Sequence, residues 1–113
     1  SPVSNYFQLF KEYEAQNDPQ LIEMRVECLD RLYGLLDAKH LPTFEKFVRH
    51  HLGATAVKFG WSSKPNESDL VRSARGDVLL AMGTIGQDQA TISEARKQFN
   101  IYLADPRKVE PDL

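Results

Sequence analysis

The side chains best equipped for chemistry in this chain are three histidines (His40, His50 and His51), one cysteine (Cys28) and Arg75. A zinc grip on a helix needs two ligands on one face, four residues apart. His50 and His51 are adjacent, and neighbouring helical residues point about 100° apart. They do not make that pair, and the expectation is that both are exposed helix histidines. Cys28 has no second cysteine to pair with. It falls within an apolar helical face, where a thiol packs as a small hydrophobe. No HExxH, GxSxG, GxxxxGK[ST] or GxGxxG motif occurs, so no zinc grip, serine elbow or phosphate loop is encoded here.

Arg75 stands apart because of its neighbours. It shares a row with Val71, Val78, Leu79 and Met82 at the edge of an apolar stripe. A guanidinium taken out of water needs a carboxylate, a carbonyl or a ligand anion. Glu67, two turns back, or a carboxylate on another helix would make a structural ion pair. A peptide carboxylate or carbonyl would make Arg75 a clamp. Both readings stand. Trp61 likewise reads either as a plug under a turn or as a recognition aromatic. Arg72, Arg96 and Lys97 read as solvated faces, with Arg72 at ion-pair spacing from Asp69.

These residues must be positioned by helices. Five amphipathic segments are legible, and none alternates with the period of two that a strand requires. The first covers residues 4–16, with Tyr6, Phe10 and Tyr13 on one side and Phe7 beside them. The second opens at Asp18-Pro19, an N-cap followed by a proline at the first helical position. Its steps of four and three run through Ile22, Val26, Leu29, Tyr33 and Leu36, with Leu21, Cys28, Leu32 and Leu35 alongside. An apolar arc that wide calls for packing on two sides. The third runs from Pro42-Thr43 through Phe44, Phe47, Val48, Leu52, Val57 and Phe59 to a glycine stop at Gly60. Gly60, Trp61, Pro65 and Glu67 belong to a long structural turn. The fourth starts around Asn66–Asp69, carries Leu70, Ala74, Val78, Ala81 and Ile85 on one face, and ends at Gly86. The fifth, capped near Asp88, turns Ile92, Ala95, Phe99, Tyr102 and Leu103 inward and stops at Asp105-Pro106.

The expected fold class is therefore all-α: antiparallel helix pairs forming part of an α-α superhelix, with residues 1–113 a single helical domain. Val109-Glu110-Pro111-Asp112-Leu113 reads as the lead-in to a further helix, so the domain is expected to be a fragment of a longer array. The absent initiator Met suits a start cut for expression.

Composition bounds the rest. Apolar residues at 42% and charged residues at 27% give an ordinary globular balance. A net charge of −2 provides no field for nucleic acid or anionic lipid. No apolar run reaches the roughly 18 residues of a membrane span. Ser1–Phe10 lacks the basic-then-apolar plan of a secretory signal. One cysteine suits a reducing compartment, which makes the cytoplasm the default location.

Gly60-Trp61, Lys64-Pro65-Asn66-Glu67-Ser68, then Leu70, Arg75-Gly76-Asp77-Val78-Leu79-Leu80 and Gly83 resemble a known pattern. It is that of the C-terminal helical domain of gluzincin zinc aminopeptidases of the puromycin-sensitive, alanyl and glutamyl type. Members often carry a GW-x-x-K-P-G-E turn and then a helix with a Leu-Arg-Gly or Leu-Arg-Ser step. Ser93-Glu94-Ala95-Arg96-Lys97-Gln98-Phe99, Tyr102-Leu103 and Val109, Pro111-Asp112-Leu113 are similar to the family's downstream segment. The likeness is most specific over residues 59–113 and compatible over 18–58. Asn66 replaces the commoner glycine, and Ala74 the usual leucine before Arg75.

The resemblance implies a non-catalytic domain of a multi-domain exopeptidase. Zinc would sit in a separate HExxH domain, so this fragment needs no cofactor of its own. The implied partners are that catalytic domain of the same polypeptide and the peptide substrate, with no nucleic acid and no membrane. The implied domain is a superhelix of HEAT- or armadillo-like helix pairs that closes over the active site and shapes the substrate chamber. Arg75 matches the family's arginine in this helix, where a peptide-side role is one possibility. The alternative is a stand-alone helical scaffold for protein–protein interaction. The aromatic first segment argues against that, since a terminal repeat needs a polar outer face. A helix-turn-helix nucleic-acid binder is a distant third, disfavoured by the charge balance.

Overall fold

The computed structural model describes residues 18–108, and Pro2, Ser4, Asn5 and Gln8 singly. The first sequence segment and residues 109–113 fall largely outside the described residues.

Helix α1 spans Pro19–Gly34 and starts as the sequence implies: the Asp18 carboxylate accepts from the Gln20 N–H at 2.9 Å. Its buried residues are Ile22, Arg25, Val26 and Leu29, the i, i+3, i+4, i+7 stripe of an amphipathic helix. The helix ends earlier than the apolar pattern suggests. The Leu35 and Leu36 N–H groups turn back to the Leu32 and Tyr33 carbonyls, tightening the last turn. Leu35 is left 81% exposed.

After one 3₁₀ turn, Ala38–His40, helix α2 spans Leu41–Phe59 and buries Phe44, Val48, His51 and Leu52. Val57, expected on the apolar face, is instead 83% exposed, because nine helical steps of about 100° place it opposite Val48. Gly60 closes the helix as expected, with its N–H on the Ala56 carbonyl. Its backbone lies at φ 65°, ψ −164°, a region essentially restricted to glycine. Open space surrounds the position of a Cβ there, so the cost of a side chain is conformational and not steric. Gly60→Ala should lower stability by about 1–3 kcal/mol, read as a shift in urea midpoint at constant slope.

Helix α3, Asp69–Gly83, is capped by the Ser68 hydroxyl accepting from the Val71 N–H at 3.2 Å. It buries Ala74, Arg75, Val78, Leu79, Ala81 and Met82, and it is the hub of the fold, packing against α1, α2 and helix α4, Gln89–Ala104. The main partner of α1 is α3, two elements on, and α1 touches α2 only lightly. The fold is all-α, with no strand among the described residues, and its helix pairs pack in the manner of a superhelix. The molecule measures 51 × 33 × 19 Å, and 19 Å is two helix layers at about 10 Å each.

The α3–α4 corner is fixed by backbone. The Gly86 N–H reaches the Ala81 carbonyl and the Asp88 N–H reaches that of Met82, both at 2.8 Å. A Cβ at Gly86 would stand 2.8 Å from the Met82 carbonyl oxygen and 3.1 Å from the Val48 side chain, so only glycine fits. Asp88 then caps α4, accepting from the Thr91 N–H at 3.0 Å and its hydroxyl at 2.6 Å.

Of the expected inward face of α4, Ile92 is half-buried near Gly83, but the rest stays open. Phe99 is 59% and Leu103 64% exposed, with Tyr102 and Ala95 also exposed. Thr91 is the helix's one buried residue, and no α4 residue joins the hydrophobic core. Among the described helices α4 leans on α3 alone, near Gly83, so among the described residues most of its apolar stripe is left uncovered.

Candidate functional site

The turn between α2 and α3 brings together the residues that the sequence singles out. Gly60 reverses the chain and Asn66 takes a left-handed φ of 62°, a conformation asparagine tolerates. That is how the turn closes without the commoner glycine. Glu67 is held in place by its own N–H on the Lys64 carbonyl and by its carboxylate accepting from the Lys64 N–H, both at 3.3 Å.

Arg75 reaches this turn from α3 and is 1% exposed. Its Nη1 and Nη2 donate to the two Glu67 carboxylate oxygens at 2.5 and 2.7 Å, and its Nε donates to the Phe59 carbonyl at 3.2 Å. The guanidinium carbon lies 5.8 Å from the centre of the Phe59 ring, within cation–π range. One side chain thus ties the end of α2, the turn and α3. The Glu67 side chain is only 6% exposed. The hydrogen bonds from Arg75, with help from the Lys64 N–H and against the effect of burial, lower its pKa from 4.5 to about 2. Arg72 adds to the same corner, pairing with Asp69 and donating to the Glu67 carbonyl at 3.2 Å.

Trp61 is half-buried and lines an open groove of 480 Å³ between α3 and α4. Leu79, Leu80, Ile92 and Phe99 supply its apolar walls and Arg96 its charged rim. The neighbouring Lys97 is exposed. A second cavity of 330 Å³ borders the Arg75–Glu67 pair, between Thr55, Lys58 and Pro65.

The His50 and His51 rings meet edge to face with centres 5.2 Å apart. His50 is exposed, but His51 is buried, which corrects the expectation that both face solvent. Position 51 lies seven residues after Phe44 and three after Val48, on the packed stripe. Its ring centre sits 4.1 Å from that of Phe47. Among the described residues no three His, Cys, Asp or Glu side chains converge as metal ligands. The donor set here does not fit a zinc ion.

Arg25 was not legible as a buried residue. It is 2% exposed, with Nη2 donating to the Thr55 hydroxyl at 3.2 Å. Position 25 follows Ile22 by three and precedes Leu29 by four, and that spacing was the available signal. Arg49 donates to the Gly86 carbonyl at 2.6 Å and pins the α3–α4 corner. Across the α1–α3 seam, Asp77 faces Glu23 and Asp30, and its carboxyl is raised above the usual range by burial and then by Glu23. A raised carboxylate pKa means the folded state takes up a proton first. This group therefore opposes folding above its raised pKa, and that opposition fades on acidification.

The ERAP1-like C-terminal domain family matches residues 1–113. The chain is similar to Aminopeptidase M1-A of Oryza sativa subsp. japonica, 37% identical over 65 residues that make up 58% of this chain and 7% of that protein. It is similar to Aminopeptidase M1 of Arabidopsis thaliana, 44% identical over 50 residues, 44% of this chain and 6% of that protein. The matched stretches are thus a small fraction of either relative's length. No solved structure matches the chain.

Proposed function

Because the chain belongs to the ERAP1-like C-terminal domain family, we propose that it is the non-catalytic helical domain of a zinc-dependent aminopeptidase. In this reading it forms part of a HEAT-like superhelical wall that closes over a catalytic domain of the same polypeptide and shapes the chamber for the peptide substrate. The hydrolysis of N-terminal residues, and the zinc that serves it, belong to that other domain. The names of the two plant relatives support the activity class.

The observation that carries the proposal is the uncovered face of α4. Burying the open parts of Phe99 and Leu103, 59% and 64% exposed, against a neighbouring element would add on the order of 1 kcal/mol each. Solenoid helices expose such stripes toward the next repeat. Arg75 is assigned as a structural latch, because its donors are directed at Glu67 and Phe59 inside the fold. No helix among the described residues is long and apolar enough to cross a membrane. We place the protein in the cytoplasm, in keeping with its lone cysteine.

The purified chain tests the first half of this reading. After dialysis against zinc and then buffer, it should retain far less than one equivalent by metal analysis and release no amine from chromogenic aminoacyl amides. Stoichiometric zinc with turnover would overturn the non-catalytic assignment.

A further inference from the structure

We draw no further inference here: the strongest candidate, the apolar groove between α3 and α4 beside Trp61, runs into the α4 face already assigned to packing within the polypeptide, and nothing in the structure shows what else covers it.

Discussion

Replacing Arg75 with methionine should lower the unfolding free energy by about 3 kcal/mol or more, as expected for removing one partner of a buried ion pair. Methionine keeps much of the side-chain bulk, so the loss is electrostatic. The Glu67 carboxylate, 6% exposed, would lose the cation that pairs with both its oxygens, and the Phe59 carbonyl would lose its donor. The loss should extend beyond one contact, since the same guanidinium joins α2, the turn and α3. A second substitution, Glu67→Gln, should restore part of the stability in the Arg75→Met background while destabilising the wild type. That non-additivity is the signature of direct coupling.

The pair also sets an acid limb. Glu67 titrates at 4.5 in the unfolded chain and about 2 in the folded one. Below 4.5 the unfolded chain takes up the proton while the folded carboxylate stays ionised. Its contribution is therefore whole at neutral pH, declines as pH falls below about 4.5, and is gone near pH 2. Urea unfolding from neutral to acid pH should show a shallower decline in Arg75→Met than in the wild type. Asp77 works in the opposite sense over the low-pH window, so the wild-type slope reports the balance of the two.

The second large effect depends on context. In the isolated chain Phe99→Ala should cost less than about 1 kcal/mol, as expected of a largely exposed site. Leu52→Ala, at a fully buried position, should cost about 2–5 kcal/mol. In a polypeptide that also carries the catalytic domain, a further helix should pack on α4. There Phe99→Ala should rise to about 3 kcal/mol, the level of a buried aromatic. Equal, small costs in both settings would mean that the α4 face is not a packing face.

Local signals were the ones the sequence displayed. Asp18-Pro19, Gly60 and Asp88 mark helix ends because capping depends on a few adjacent atoms, and the structure places the ends there. The Arg75–Glu67 pair was among the partners in view for a similar reason: eight residues separate the two, and the turn folds one back on the other. What periodicity does not contain is the identity of the neighbour. It marks the apolar side of α4 but not whether anything covers it, so the pattern points Phe99, Tyr102 and Leu103 inward although all three are exposed. Arg25 and His51 escaped for the converse reason. A polar residue on a packed stripe reads as solvent-facing until its neighbours, Thr55 and Phe47, are known. Leu35 and Val57 show how far an apolar run can outlast the packed stripe.

The proposed role of this domain is to shape a substrate chamber without doing chemistry in it. The most direct measurement compares kcat/KM, per bound zinc, for single-residue amides and for peptides of increasing length. The two samples are an aminopeptidase that carries the domain and the same enzyme with residues 18–108 removed. Amide turnover per zinc should persist without the domain while the dependence on peptide length changes. An unchanged length profile, with or without the domain, would contradict it.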